Sequence, residues 1–157
     1  MMRISLIEIY LNFAKYKRGF YMNSRHIFNY DVEIYDKARP KYPPELFNDI
    51  LVYSGVASQS QILEIGIGTG QATKPFLDRG SVVTAIDIGD ELINYVAEKY
   101  HGYNNFHAIC GDFIKYDFND SKFDLIFSAT AFHWLPLDKA YKKIITLLKP
   151  GGTVALF

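Results

Sequence analysis

From residue 44 onward, short apolar runs alternate with stretches whose apolar residues recur at helical spacing. Ile62, Leu63 and Ile65 read as a buried strand, and Val82, Val83, Ala85 and Ile86 as the core of a second over residues 81–87. Residues 105–110 read as a third strand, 123–128 as a fourth and 153–157 as the start of a fifth. Leu46, Phe47, Ile50 and Leu51 fit one helix face, opened by Pro43-Pro44 and closed by Gly55. Further helices fit residues 71–78, 89–100 and 136–148. Leu92, Ile93, Val96 and Ala97 mark the apolar face of the second of these, and Ala140, Ile144, Leu147 and Leu148 that of the third. Lys149-Pro-Gly-Gly152 reads as a tight turn. This alternation predicts a parallel sheet with helices on both faces and right-handed connections. In such sheets ligands bind beyond the carboxyl ends of the strands.

The glycines single out one of those ends. Gln61-Ile-Leu-Glu-Ile-Gly-Ile-Gly-Thr-Gly70 joins the first strand to the helix that follows. A strand, a glycine-rich turn and a helix make a cradle for a nucleotide-like ligand, because glycine lets backbone approach the ligand closely. The spacing is Glu-x-Gly-x-Gly-x-Gly and not the dinucleotide pattern G-x-G-x-x-G, since Gln71 and Thr73 stand where the third glycine would fall. A carboxylate at Glu64 would repel a pyrophosphate. It suits a ligand that carries an ammonium group and no phosphate, as S-adenosylmethionine does.

Other candidate residues follow later strands. Asp87 lies about 20 residues past the glycine turn, a position from which an acid accepts hydrogen bonds from ribose hydroxyls. As a helix cap before Gly89 it would serve structure alone, and the two roles are compatible. Ile88 beside it is placed to pack on a base. Asp112 ends the third strand, and Ser128 ends the fourth.

Composition narrows the partners. A chain of 157 residues suits one domain with a real core. The formal net charge of +0 provides no global field to recruit nucleic acid or an anionic membrane. The single cysteine, Cys110, excludes an intrachain disulfide and a cysteine metal cluster. His26, His101, His107 and His133 show no close ligand spacing, so no metal is expected. No apolar run reaches the roughly 18 residues of a membrane span. In residues 1–21 Glu8 interrupts the apolar run, and Lys15, Lys17 and Arg18 follow it, the reverse of a secretory signal. A cytoplasmic protein is expected. Met22 is a candidate native start, with residues 1–21 an upstream extension; an extra N-terminal helix or strand is the alternative.

Residues 62–73 resemble the first motif of the class I S-adenosylmethionine-dependent methyltransferases. Tyr35-Asp36, Arg39-Pro40 and Tyr42-Pro43 resemble the N-terminal cap of small-molecule members, and residues 128–135 resemble the post-strand segment of the type 11, trans-aconitate-methyltransferase-like branch. The resemblance implies a Rossmann-like three-layer αβα sandwich over residues 29–157, with residues 1–28 as an extension of uncertain structure. It implies Arg39 on the methionyl carboxylate, Tyr35 near the sulfonium, and Glu64 near the methionyl amine. Gly66, Gly68 and Gly70 would form the cofactor turn, Asp112 and Phe113 the base pocket, and Ser128 the floor between sulfonium and acceptor. His133 is the candidate general base, although a His-Trp pair there more often shapes the pocket. The lack of Asn-Pro-Pro-Tyr disfavours an amino-methylating nucleic-acid enzyme and leaves a small-molecule carboxylate, oxygen or nitrogen as acceptor.

The family's sheet runs 3-2-1-4-5-7-6, and this chain ends at or just after the fifth of those strands. Strands six and seven are therefore expected to be missing. The fifth strand's edge should then be open, and self-association through it is expected. Two rival readings follow: a non-catalytic cofactor-binding fragment, and a nucleotide-dependent oxidoreductase.

Overall fold

In a computed structural model, the structure describes residues 6–8 as backbone, residue 36, and residues 41–157. Six parallel strands form one sheet: β1 (Leu6–Glu8), β2 (Gln61–Ile65), β3 (Val82–Asp87), β4 (Phe106–Cys110), β5 (Phe123–Ser128) and β6 (Leu148–Leu156). Their order across the sheet is β1-β6-β5-β2-β3-β4. From β4 to β6 this is the order that the family pattern implies for its first five strands. The α-helices α1 (Pro44–Ser54), α2 (Lys74–Leu77), α3 (Asp90–Lys99) and α4 (Leu137–Leu147) lie between strands in the described part of the chain.

The central strands are apolar on both faces, as strands covered on both sides must be. Ile62, Leu63, Leu125, Ile126 and Phe127 have no measurable exposure. Successive residues serve opposite layers. Ile62, Leu125 and Phe127 pack with Leu46, Phe47 and Ile50 of α1, Phe76 of α2 and Val96 of α3. Leu63, Ile65 and Ile126 pack with Ala140, Ile144 and Leu147 of α4 and with Phe113 and Phe118 from the β4–β5 connection. Fully burying each large side chain stabilises the fold by about 1.5–3 kcal/mol, so the sandwich is held mainly by these two layers. Pro44 opens α1 without losing a needed N–H, and Gly55 closes it in the left-handed conformation with its N–H on the Leu51 carbonyl.

Three expectations change. Residues 71–73 form turns, so α2 is a short helix beginning at Lys74. Lys149-Pro-Gly-Gly152 is an irregular insertion within β6: Phe123 pairs with Leu148, and Leu125 with Thr153, so four residues stand opposite Asp124 alone. Lys149 reaches back to Asp124 at 2.8 Å across that insertion.

The third change concerns the sheet edge. Leu6, Ile7 and Glu8 pair in parallel with Val154, Ala155 and Leu156. The edge expected to be open is occupied there by a strand from the N-terminal side. The expectation of an open fifth-strand edge is thereby corrected over Val154–Leu156, where β1 supplies the pairing. The edges of the sheet are β1 and β4.

Candidate functional site

The carboxyl ends of β2, β3, β4 and β5 lie together because the strands are parallel and in register. They open onto a cavity of about 550 Å³, within the roughly 300–1,000 Å³ typical of small-molecule sites.

The glycine turn forms one wall. Gly66, Gly68 and Gly70 all have positive φ, which glycine adopts without strain. Gly66 and Gly68 line the cavity. Gly66 is also a close-approach position: a Cβ there would lie 2.5 Å from the Ala131 Cβ. Gly70 does not line the cavity. It packs against Tyr100, whose ring would meet a Cβ at 2.8 Å and whose hydroxyl donates to the Gly70 carbonyl. Thr69, inside the turn, is buried, and its Oγ1 has no hydrogen-bond partner among the described residues. A buried hydroxyl without a partner on a cavity wall is suited to a polar ligand atom.

Glu64 is 1% exposed and lines the same cavity. The Thr73 hydroxyl donates to its Oε2 at 2.7 Å. Burial, as the largest cause, and the nearby Asp87 carboxylate raise its pKa from 4.5 to about 8, against the lowering effects of Thr73 and Lys99. Burial, then the Glu64 charge, likewise holds the Tyr100 phenol well above its ordinary range.

Asp87, at the end of β3, braces the turn. Its Oδ2 accepts from the Gly68 N–H at 3.0 Å and its Oδ1 from the Gly89 N–H at 3.0 Å. The helix-start role and a place on the cavity wall therefore coexist. Ile88 lines the cavity and is 57% exposed, available to a flat apolar ligand surface. Asp112 and Phe113 line it as well. Asp112 Oδ1 accepts from the Ile114 N–H at 2.9 Å, and Lys115 approaches Oδ2 at 3.7 Å.

The fourth strand's end differs from expectation. Ser128 is buried behind the wall, with its hydroxyl on the Ile65 carbonyl at 2.7 Å. Ala129, Thr130 and Ala131 line the cavity instead. Thr130 has a φ of 55°, a strained conformation for a β-branched residue, and its hydroxyl is hydrogen-bonded to that of Tyr42, which also lines the cavity. A 3₁₀ turn over Phe132–Trp134 then sends three adjacent side chains different ways. Phe132 is buried, Trp134 lines the cavity, and His133 is exposed outside the cavity wall.

Residues that the sequence did not flag complete the back of the turn. Lys99 on α3 donates to the Thr69 carbonyl at 2.8 Å and reaches Asp36 Oδ1 at 3.3 Å. Tyr95 donates to Asp36 Oδ2, and the Gln71 side-chain amide to the Asp36 carbonyl, each at 3.3 Å. The only available signal was helical spacing, which puts Tyr95 and Lys99 on one flank of α3. Tyr35 and Arg39 lie outside the described residues. Among those described, no helix is long and apolar enough to cross a membrane.

Residues 63–156 match the family described as a methyltransferase domain. An uncharacterized methyltransferase of Schizosaccharomyces pombe is 30% identical over 130 residues, covering 82% of this chain and 51% of that protein. The chain spans about half the length of the curated relatives it matches. Among solved structures, the CcbJ methyltransferase from Streptomyces caelestis superposes with a TM-score of 0.64 at 26% identity, covering 80% of this chain and 54% of that one. The Haemonchus contortus phosphoethanolamine N-methyltransferase 2, in complex with phosphomonomethylethanolamine and S-adenosylhomocysteine, superposes with a TM-score of 0.64 at 25% identity, over 72% of this chain and 28% of that one. With the sheet order, the glycine turn and the carboxyl-end cavity already in place, this match over more than half its length makes the chain a member of the class I S-adenosylmethionine-dependent methyltransferases.

Proposed function

We propose that the carboxyl-end cavity binds S-adenosylmethionine and that this chain carries the methyl-transfer site of an enzyme acting on a small-molecule acceptor. The observation that carries this reading is one cavity walled by the Glu64–Gly68 turn, Asp87 and Asp112, with the unpartnered Thr69 hydroxyl buried at its edge. In this assignment Asp87 holds the ribose hydroxyls, Ile88, Asp112 and Phe113 enclose the base, and Glu64 faces the methionyl ammonium. Gly66 and Gly68 allow the turn's backbone to come close, while Gly70 and Ser128 support the wall from behind. Arg39 and Tyr35 are assigned to the methionyl carboxylate and the sulfonium on the family resemblance alone.

When bound, S-adenosylmethionine supplies a methyl carbon already activated by a positive sulfur. The task left to the chain is to hold an acceptor in line with that carbon and exclude water. Trp134, Leu135 and Pro136, which line the cavity, are assigned to the acceptor side. A carboxylate acceptor needs no base. The position of His133 outside the cavity wall favours catalysis by positioning over general-base catalysis by that residue.

The test is methyl transfer from isotopically labelled S-adenosylmethionine to a panel of carboxylate, hydroxyl and amine acceptors. Turnover of any member supports the reading. Tight binding of S-adenosylhomocysteine without turnover across the panel would leave the chain a cofactor-binding unit.

A further inference from the structure

The charged groups on the cavity wall are unevenly divided along the chain. Glu64, Asp87, Asp90 and Asp112 line it from the side of β2, β3 and β4. From residue 129 to residue 139 the lining holds a single charged side chain, Lys139, in the first turn of α4. The neighbouring Asp138 does not line the cavity. The lysines of this region differ in what they touch. Lys115, also on the wall, lies 3.7 Å from the Asp112 carboxylate. Lys143, one turn beyond Lys139 on α4, donates to the Ile114 and Tyr116 carbonyls. Lys139 has no ion pair and no side-chain hydrogen bond among the described residues. Its backbone N–H is held by the Pro136 carbonyl, so the helix start fixes the residue while its ammonium is unengaged. Beside it on the wall, Trp134 is 65% exposed, a large apolar surface left open to the cavity.

An unpartnered lysine on an open surface is ordinary. Here the lysine and an exposed indole share one wall of a concave site, and that stretch of wall carries no acid. A few placed polar groups on a largely apolar wall are what orient a small ligand. We propose that Lys139 and Trp134 select the acceptor, which is an organic acid: its carboxylate pairs with Lys139 and its apolar body lies on the Trp134 ring. The charge pattern sets the orientation. An anion is attracted to the Lys139 stretch and repelled by Asp87, Asp90 and Asp112. An amide or alcohol of the same shape keeps the apolar contact and loses the ion pair. An amine meets like charge at Lys139 and is selected against.

This inference rests on the cavity being the S-adenosylmethionine site, and the experiment separates the two. The whole chain is first titrated with S-adenosylhomocysteine by calorimetry. With that ligand saturating, hexanoate and phenylacetate, then their amides, are titrated at low ionic strength while Trp134 fluorescence is followed. The expected result is saturable binding of the acids, about threefold to tenfold tighter than that of the matched amides, the range for one partly exposed charge pair. Lys139→Met should abolish the preference for acid over amide, and Lys139→Arg should retain it. Both variants should bind S-adenosylhomocysteine as the wild type does; Lys139 is exposed, so neither change disturbs the core. Equal binding of acids and amides, no binding of the acids, or an unchanged preference in Lys139→Met overturns the inference and leaves the cofactor assignment standing. A fall in S-adenosylhomocysteine affinity in Lys139→Met also overturns it, because the lysine then serves the cofactor's own carboxylate. No binding of S-adenosylhomocysteine to the wild type overturns the cofactor assignment, and this inference with it.

Discussion

Replacing Gly66 with alanine should separate the two reasons that a glycine stands there. The residue has a φ of 73°, and its N–H is held by the Ile86 carbonyl at 2.8 Å, so the backbone is not free to rotate away. An L-residue in the left-handed region costs about 1–2 kcal/mol. The added Cβ would also sit 2.5 Å from the Ala131 Cβ. Relieving an overlap of that kind in a packed site costs about 1–3 kcal/mol. Together the two effects predict a loss of about 2–5 kcal/mol, or roughly 1–2 M off the urea midpoint. Ala131→Gly removes the opposing methyl and should restore the steric share alone. The double variant should therefore be more stable than the sum of the single losses implies, by about 1–3 kcal/mol of coupling. Urea denaturation of the wild type, both single variants and the double variant measures this. Strict additivity would refute the close contact between the glycine turn and the start of the Trp134 wall.

Three other outcomes are expected. Asp87→Ala should weaken S-adenosylhomocysteine binding by at least about tenfold in calorimetry, since charged acceptor bonds are lost; unchanged affinity in a folded variant would remove Asp87 from the site. Asp36→Asn and Lys99→Met should each weaken that binding by roughly threefold to tenfold, and together by no more than the larger single effect, because Lys99 links Asp36 to the Thr69 carbonyl; fully independent effects would break that link. His133→Ala should lower turnover by less than the roughly hundredfold low end of general-base loss, with cofactor affinity intact; a larger fall would make His133 the base.

The sequence exposed the sheet because its strands are buried on both faces. Ile62-Leu63 and Leu125-Ile126-Phe127 have to be apolar without interruption, and such runs are visible without a structure. Asp87 was legible for a similar reason: the length of one turn, helix and strand fixes its distance from the glycines. Pairing between distant segments left no such trace. β1 is three residues long and meets a strand almost the whole chain away, so neither its length nor its periodicity signalled a place in the sheet. Side-chain direction at the ends of elements was equally hidden. Ser128 ends its strand as expected, but its hydroxyl is used by the Ile65 carbonyl behind the wall. In the Phe132–Trp134 turn, about a third of a turn per residue separates the buried, exposed and cavity-facing side chains, so His133 and Trp134 trade the prominence that sequence gave them. The Lys99–Thr69 contact bridges a helix and a loop, and only tertiary packing brings them together.

The central claim is that the carboxyl-end cavity is an S-adenosylmethionine site. The chain has one tryptophan, and that residue lines the cavity. Titrating the protein with S-adenosylhomocysteine while following Trp134 fluorescence, with NAD as the competing ligand class, tests the claim most directly. A saturable one-to-one change with S-adenosylhomocysteine, weakened by Asp87→Ala and absent with NAD, is the predicted result. Saturable binding of NAD with no response to S-adenosylhomocysteine, by fluorescence and by calorimetry alike, would contradict it.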